Sequence, residues 1–154
     1  MFKIFYLFLL TSFIGFGQST FNAKVVGVKD GDTVVVLDSL NNQTTLRLAE
    51  IDCPEKNQPF GTKAKQFTSD QIYLKTIKYV VTDIDRYGRS IAMIFYDEDN
   101  KYLSAEIIKA GMGWHYKRYS KSKELAEFEI NARENKIGLW VDENPIPPSE
   151  WRKL

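Results

Sequence analysis

Residues 23–38 read Ala23-Lys24-Val25-Val26-Gly27-Val28-Lys29-Asp30-Gly31-Asp32-Thr33-Val34-Val35-Val36-Leu37-Asp38. Two valine-rich runs flank Asp30-Gly31-Asp32, and Asp-Gly between such runs is a tight-turn signal. The spacing predicts strands over 23–29 and 33–38. Asn41-Asn42 marks a second turn, and residues 43–51 read as a third strand, completing a meander. Working outward, residues 54–61 hold Pro54, Pro59 and Gly61 and read as loop. Over 62–73 the period changes: Ala64, Phe67, Gln71 and Leu74 share one helical face, and β-branched residues are few, which predicts a helix. Strands are expected again at 77–81 and 90–96, joined across Asp85-Arg86-Tyr87-Gly88. Helices are expected at 102–110 and 122–136, the second with Leu125, Phe128 and Ala132 as its apolar stripe. Gly111 and Gly138 stand where helix-ending glycines belong. Pro145, Pro147 and Pro148 predict an extended tail over 141–154.

Five short strands with an inserted helix suit a small closed Greek-key barrel of the OB type with about three helices. A plain α+β sheet fits the same pattern nearly as well. The chain's 154 residues are one domain's worth, and at 44% hydrophobic and 14% aromatic they can build a core. One Cys and one His exclude the most. They forbid a disulfide within the chain, a four-ligand zinc site and any mechanism needing two histidines. Chemistry is left to carboxylates, arginines and a hard metal ion.

Met1-Phe2-Lys3 gives a positive start, residues 4–16 are mostly apolar, and Gly15-Phe16-Gly17 has the small-x-small spacing of a signal-peptidase site. The expectation is a leader over 1–17, cleaved after Gly17, and a single domain over 18–154 with its core at about 23–140. The apolar run is shorter than the roughly twenty residues needed to span a bilayer, and no Cys follows it to carry lipid. A secreted or periplasmic protein follows, with no membrane attachment after cleavage. Of 21 basic residues, removal of Lys3 leaves 20 against 20 acidic ones. A domain that holds polyanions by bulk charge is usually basic. Binding of nucleic acid here would need local arrangement or a bound cation.

Three clusters could do chemistry. Asp30-Gly31-Asp32-Thr33 places two carboxylates around a glycine, which suits Ca²⁺, although Asp-Gly is more commonly a plain hairpin connector. In Arg47-Leu48-Ala49-Glu50-Ile51-Asp52-Cys53-Pro54-Glu55 a regular strand would put Arg47 and Asp52 on opposite faces. Pro54 forces a bend that can return Asp52 and Glu55 to Arg47; the other reading is a solvated strand end with surface ion pairs. Asp85-Arg86-Tyr87-Gly88-Arg89 is either a charged turn or the delivery of a second guanidinium, whose planar fork grips phosphate.

Asp-Gly-Asp-Thr, Arg-Leu-x-x-Ile-Asp-x-Pro-Glu and Asp-Arg-Tyr-Gly-Arg, in this order, resemble the staphylococcal nuclease (thermonuclease) family. The resemblance runs from about Ala23 to Trp140 and includes Ile108-Lys109-Ala110-Gly111-Met112-Gly113-Trp114 and Ile137-Gly138-Leu139-Trp140. It implies an OB barrel with helices and a nuclease that cleaves the P–O5′ bond of DNA and RNA, leaving 3′-phosphate ends. By that resemblance Asp32 and Asp52 hold a catalytic Ca²⁺ with the backbone carbonyl of Cys53. Glu55 activates the attacking water, Arg47 and Arg89 grip the scissile phosphate, and Tyr87 and Tyr116 line the nucleotide pocket. Single-stranded or frayed DNA and RNA are the implied substrates, with no stable protein partner and a monomeric state.

Three departures from the family's best-known member stand out. Cys53 replaces a Thr, leaving a thiol near the site that is open to oxidation if exposed. The stretch 56–61 is shorter, and the charge is neutral rather than basic, which predicts weaker non-specific DNA binding and a smaller salt dependence. His115 lacks partners for catalysis and is read as structural or surface. Trp114 and Tyr119 could stack on bases but read as core. Two other readings are a catalytically weak or silent nucleic-acid-binding OB module and a barrel with a structural Ca²⁺ at Asp32 and Asp52. The second gives Arg47 and Arg89 no task.

Overall fold

The computed structural model describes residues 19–154. The expected leader over 1–17 and its cleavage point lie outside the described residues. Strand β1 (Thr20–Asp30) is long enough to serve two neighbours. Its later half pairs antiparallel with β2 (Thr33–Leu37), from Lys24↔Leu37 to Asp30↔Thr33, and its earlier half pairs with β5 (Thr76–Ile84). Register shifts between Val25 and Gly27 and between Val28 and Asp30 add twist, as bulges do, and coil the strand. β3 (Gln43–Leu48) pairs with β2, and β6 (Ser90–Tyr96) with β5. Parallel pairing of β3 with β6, at Leu46↔Ser90, Arg47↔Ile91 and Leu48↔Ala92, closes a five-stranded mixed barrel. This is the expected OB-type closure, and it leaves these five strands little free edge.

Alternation fills the barrel. Val25, Val34, Leu46, Ile77, Ala92 and Ile94 point inward and are almost fully buried. Burying each branched aliphatic side chain contributes about 1.5–3 kcal/mol. Helix α1 (Gly61–Ile72) follows the loop and covers one end with Ala64, Thr68 and Ile72. The expected stripe through Leu74 is displaced: the helix stops at Ile72, and Leu74 takes a left-handed φ of 62° and is exposed. The short β7 (Lys101–Tyr102) leads into α2 (Leu103–Lys109), which packs against α3 (Lys123–Glu134). Ser122 caps α3 by accepting the Leu125 amide, satisfying one of the free donors of the first turn.

Three expectations change. The third strand does not reach residue 51. Its last amides are taken by other strands, Leu48 N by Asp32 O and Ala49 N by Ala92 O, and Glu50 then turns at φ 69°. The chain leaves the barrel there as β4 (Ile51–Asp52), which pairs with β8 (Trp114–His115). Gly111 follows α2 with φ 63° as a helix-ending glycine should, but Gly138 does not end α3, where Lys136 takes the left-handed position. Gly138 instead opens a 3-10 turn, Gly138–Val141, at a crossing with Gly111: Leu139 N donates to Gly111 O at 2.8 Å. A Cβ at 138 would lie 2.3 Å from that carbonyl, and one at 111 would lie 2.1 Å from Ile137 O. The tail also differs. Pro147 is extended, but Pro148 starts one helical turn, α4 (Pro148–Trp151), with proline at its favoured first position.

Candidate active site

The turn between β1 and β2, the bend after β3 and the turn between β5 and β6 open at one end of the barrel. They surround a cavity of about 640 Å³, within the range of small-molecule sites. Asp32, Arg47, Asp52, Cys53, Glu55, Tyr87, Arg89 and Tyr116 all line it, so every sequence-predicted site residue faces one space.

Arg47 is the centre of the floor. Its Nη1 lies 3.1 Å from Asp32 Oδ2 and its Nη2 lies 3.0 Å from Asp52 Oδ1. The bend after β3 therefore brings Asp52 back to Arg47, and the guanidinium also donates to the carbonyls of Leu48 and Ile51 inside that bend. The three side chains are 14%, 10% and 4% exposed, so this is no solvated strand end. Burial alone would lower the Arg47 pKa, but the carboxylates of Asp32 and Asp52 outweigh it and raise it. Burial first, with the charge of Asp32, raises Asp52, although Arg152 and Arg47 pull the other way. Asp32 is fixed further by the Cys53 amide, which donates to its Oδ2 at 2.9 Å, and by the Thr33 hydroxyl.

Glu55 does not reach Arg47. It stands at the cavity rim with its side chain 40% exposed and pairs with Arg152. Arg89 is held from its own turn: its Nε donates to Asp85 Oδ2 at 2.7 Å, while Asp85 Oδ1 accepts the amides of Tyr87 and Arg89. These bonds lower the Asp85 pKa against the opposing effect of burial. Tyr87 is exposed, with Arg86 and Arg89 over its ring at 4.9 and 5.6 Å. Tyr116 packs edge-on against Tyr119 at 4.9 Å, and Tyr119 is exposed with Arg118 stacked on it. The mouth is thus an aromatic and cationic rim over an acidic floor.

The Cys53 thiol is buried and wedged between Gly31 and Gly113, and burial followed by the Asp32 charge pushes its pKa well up. Oxidation was expected only of an exposed thiol, and burial protects this one. His115 is buried too, bonded through Nε2 to Ser120 Oγ at 2.9 Å. Ser120 in turn donates to Glu50 Oε1, and the Tyr102 hydroxyl donates to Glu50 Oε2. Glu50 O accepts the Tyr116 amide, so this network anchors the tyrosine-bearing wall.

The chain shares the sequence pattern of staphylococcal nuclease homologues over residues 45–142. It belongs to the staphylococcal nuclease family. Within the family it is 43% identical over 130 residues to an uncharacterized endonuclease of Haemophilus influenzae, covering 84% of this chain and 72% of that one. It is 36% identical over 143 residues to the micrococcal nuclease of Shigella flexneri, covering 86% and 81%. It is 39% identical over 108 residues to the staphylococcal-like nuclease CAN1 of Arabidopsis thaliana, covering 70% of this chain and 33% of that protein.

In this staphylococcal nuclease homologue Arg152 escaped the sequence reading of the site, and Asp30 was read only as one carboxylate of a turn suited to Ca²⁺ or to a plain hairpin. Asp30 lines the cavity beside Asp32, and its carboxyl is pushed up to about 6, by burial first and then by the Asp32 charge. The Asp-Gly-Asp turn carried that signal openly. Arg152 reaches Asp52 and Glu55 from a hundred residues away, and its approach depends on how the segment beyond the 3-10 turn folds back. Among the described residues, no cluster of three or more His, Cys, Asp or Glu side chains is gathered to hold a metal ion by itself. Any cation here would depend on the two floor carboxylates together with backbone, water or substrate oxygens.

Proposed function

We propose that the chain is an exported, Ca²⁺-dependent nuclease that hydrolyses the P–O5′ bonds of DNA and RNA and leaves 3′-phosphate ends. The observation that carries this reading is the convergence of Arg47 on Asp32 and Asp52 at the floor of a cavity whose walls hold Glu55 and Arg89. Two nearly buried carboxylates form an oxygen-only donor set, which fits a hard cation and not a soft one. Asp32, Asp52 and the Cys53 carbonyl would hold Ca²⁺, which when bound supplies charge neutralisation and polarises a phosphate oxygen.

The chain's own groups do the rest. Glu55, at the open rim, orients a water and accepts its proton as the water oxygen bonds to phosphorus. The P–O5′ bond breaks, and the departing oxygen takes up a proton from solvent. Arg47 and Arg89 present forked donors to the negative charge that builds on the phosphoryl oxygens. Tyr87 and Tyr116, with the cations around them, offer faces on which unpaired bases stack, which favours single-stranded or frayed substrate. The balanced net charge is consistent with capture by this local arrangement, and export rests on the leader expected over 1–17.

The test is digestion of single-stranded DNA by the 18–154 chain with Ca²⁺, with chelator, and by Glu55→Gln in Ca²⁺. Cleavage that requires Ca²⁺ and falls at least about a hundredfold in the variant upholds the reading. Ca²⁺-independent cleavage that the substitution leaves untouched would place the activity elsewhere. A folded chain that cleaves nothing would be a nucleic-acid-binding OB module instead.

A further inference from the structure

Arg152 touches the acidic floor more fully than any residue except Arg47. Its Nη2 lies 3.0 Å from Asp52 Oδ2 and its Nη1 lies 3.3 Å from Asp52 Oδ1, so both oxygens of one carboxylate are taken in a fork. Nη1 also bonds Glu55 Oε1. Asp52 Oδ1 is shared with Arg47 as well, so Asp52 has no oxygen free of a guanidinium. Arg152 is the movable partner: its side chain is 42% exposed, against 14% for Arg47. Burial would lower its pKa, but the bonds to Asp52 and Glu55 raise it strongly.

The segment that carries it is anchored independently. Gln58 Nε2 donates to Ile146 O, and Trp151 and Ile146 line a small cavity of about 80 Å³ with Phe60 and Trp114. Arg152 can therefore let go of the floor while α4 stays docked.

We propose that Arg152 is a tethered cation that occupies the carboxylate site when no divalent ion is bound, so that Ca²⁺ enters only by displacing it. Arg152 thereby sets the Ca²⁺ concentration at which the site fills. The same guanidinium holds Glu55, so displacement also frees the water-activating carboxylate. This rests on the proposed Ca²⁺ site. A ligand that must first open an occupied site binds with its affinity reduced by the open fraction. Removing the competitor should tighten Ca²⁺ binding about tenfold if the closed form is populated roughly ten times over the open one.

The experiment is calorimetric titration of Ca²⁺ into the 18–154 chain, Arg152→Gln and Asp52→Asn, without nucleic acid. The expected order of affinity is Arg152→Gln tighter than the unsubstituted chain, and Asp52→Asn weakest or silent. Equal affinity in Arg152→Gln and the unsubstituted chain, with Asp52→Asn impaired, would overturn the displacement while leaving the Ca²⁺ site intact. Weaker binding in Arg152→Gln would make the residue a helper of the cation, and would also overturn it. Absence of Ca²⁺ binding in all three would instead refute the proposed Ca²⁺ site, and the displacement with it.

Discussion

Arg47 on β3 and Asp32 at the head of β2 are held 3.1 Å apart by the strand register that sets Thr33 opposite Arg47. The barrel therefore fixes this ion pair before any ligand arrives. Arg47 tethers two carboxylates that would otherwise repel, and under the proposed mechanism it has a second task, offering its remaining donor capacity to a phosphate.

Arg47→Ala should expose both tasks. Activity should fall by about 10²–10³, the usual effect of losing one preorganised charge donor. Stability in chelator should also fall by roughly 3–5 kcal/mol, because two nearly buried carboxylates lose their shared partner. Ca²⁺ should restore part of that loss. Urea unfolding with and without Ca²⁺ measures it, and an unchanged midpoint in chelator would show that Arg47 is no tether.

Glu50→Ala tests the wall network. It removes the carboxylate to which the hydroxyls of Tyr102 and Ser120 now donate, leaving them only the Ala49 carbonyl and the His115 ring. Hydrogen bonds to a charged group contribute about 1.5–3 kcal/mol each. Because the Glu50 backbone seats Tyr116, substrate binding should weaken more than turnover, seen as a raised KM with kcat changed little. A loss confined to kcat would contradict this.

His115 sets a pH dependence. Burial first lowers its pKa from the ordinary value of 6.5, with Lys117 adding to the effect and Glu129 and Glu50 opposing it. Below about 6.5 the unfolded chain therefore binds a proton that the folded chain resists, and stability rises with pH through that window. It is fully present above about 6.5 and is lost as pH falls toward the lowered folded value. Unfolding midpoints at pH 7.5 and 5.5 should differ less in His115→Gln than in the unsubstituted chain. Equal differences would remove His115 from the account.

The Cys53 thiol should be silent toward a thiol-specific reagent in the folded chain and react only on unfolding. Reaction at the rate of an exposed thiol under native conditions would contradict its burial between Gly31 and Gly113.

Much of this molecule is readable along the chain because its signals are local. The valine-rich runs flanking Asp30-Gly31-Asp32 announced the hairpin, whereas the bend expected from Pro54 is made earlier: the left-handed Glu50 turns the chain and returns Asp52 to Arg47. What was not readable depends on distant backbone. Leu74 fits the helical period, but the helix had already stopped two residues earlier. Gly138 looks like a helix cap in sequence, and its purpose is the close crossing with Gly111. Arg152 carries no local signal at all, since its meaning lies in a carboxylate a hundred residues away. Asp30, Asp32 and Arg152 even fall outside residues 45–142, where the family pattern matches, and yet they line the same cavity.

The floor, rim and wall of that cavity come from residues 30–32, 47–55, 83–91, 116–119 and 152, none of which can assemble it alone. A chain kept unfolded has no active site, so folding itself switches the chemistry on. Under the proposed export, the polypeptide would pass the nucleic acids of the cell that makes it as a harmless thread. It would acquire its edge only where it folds.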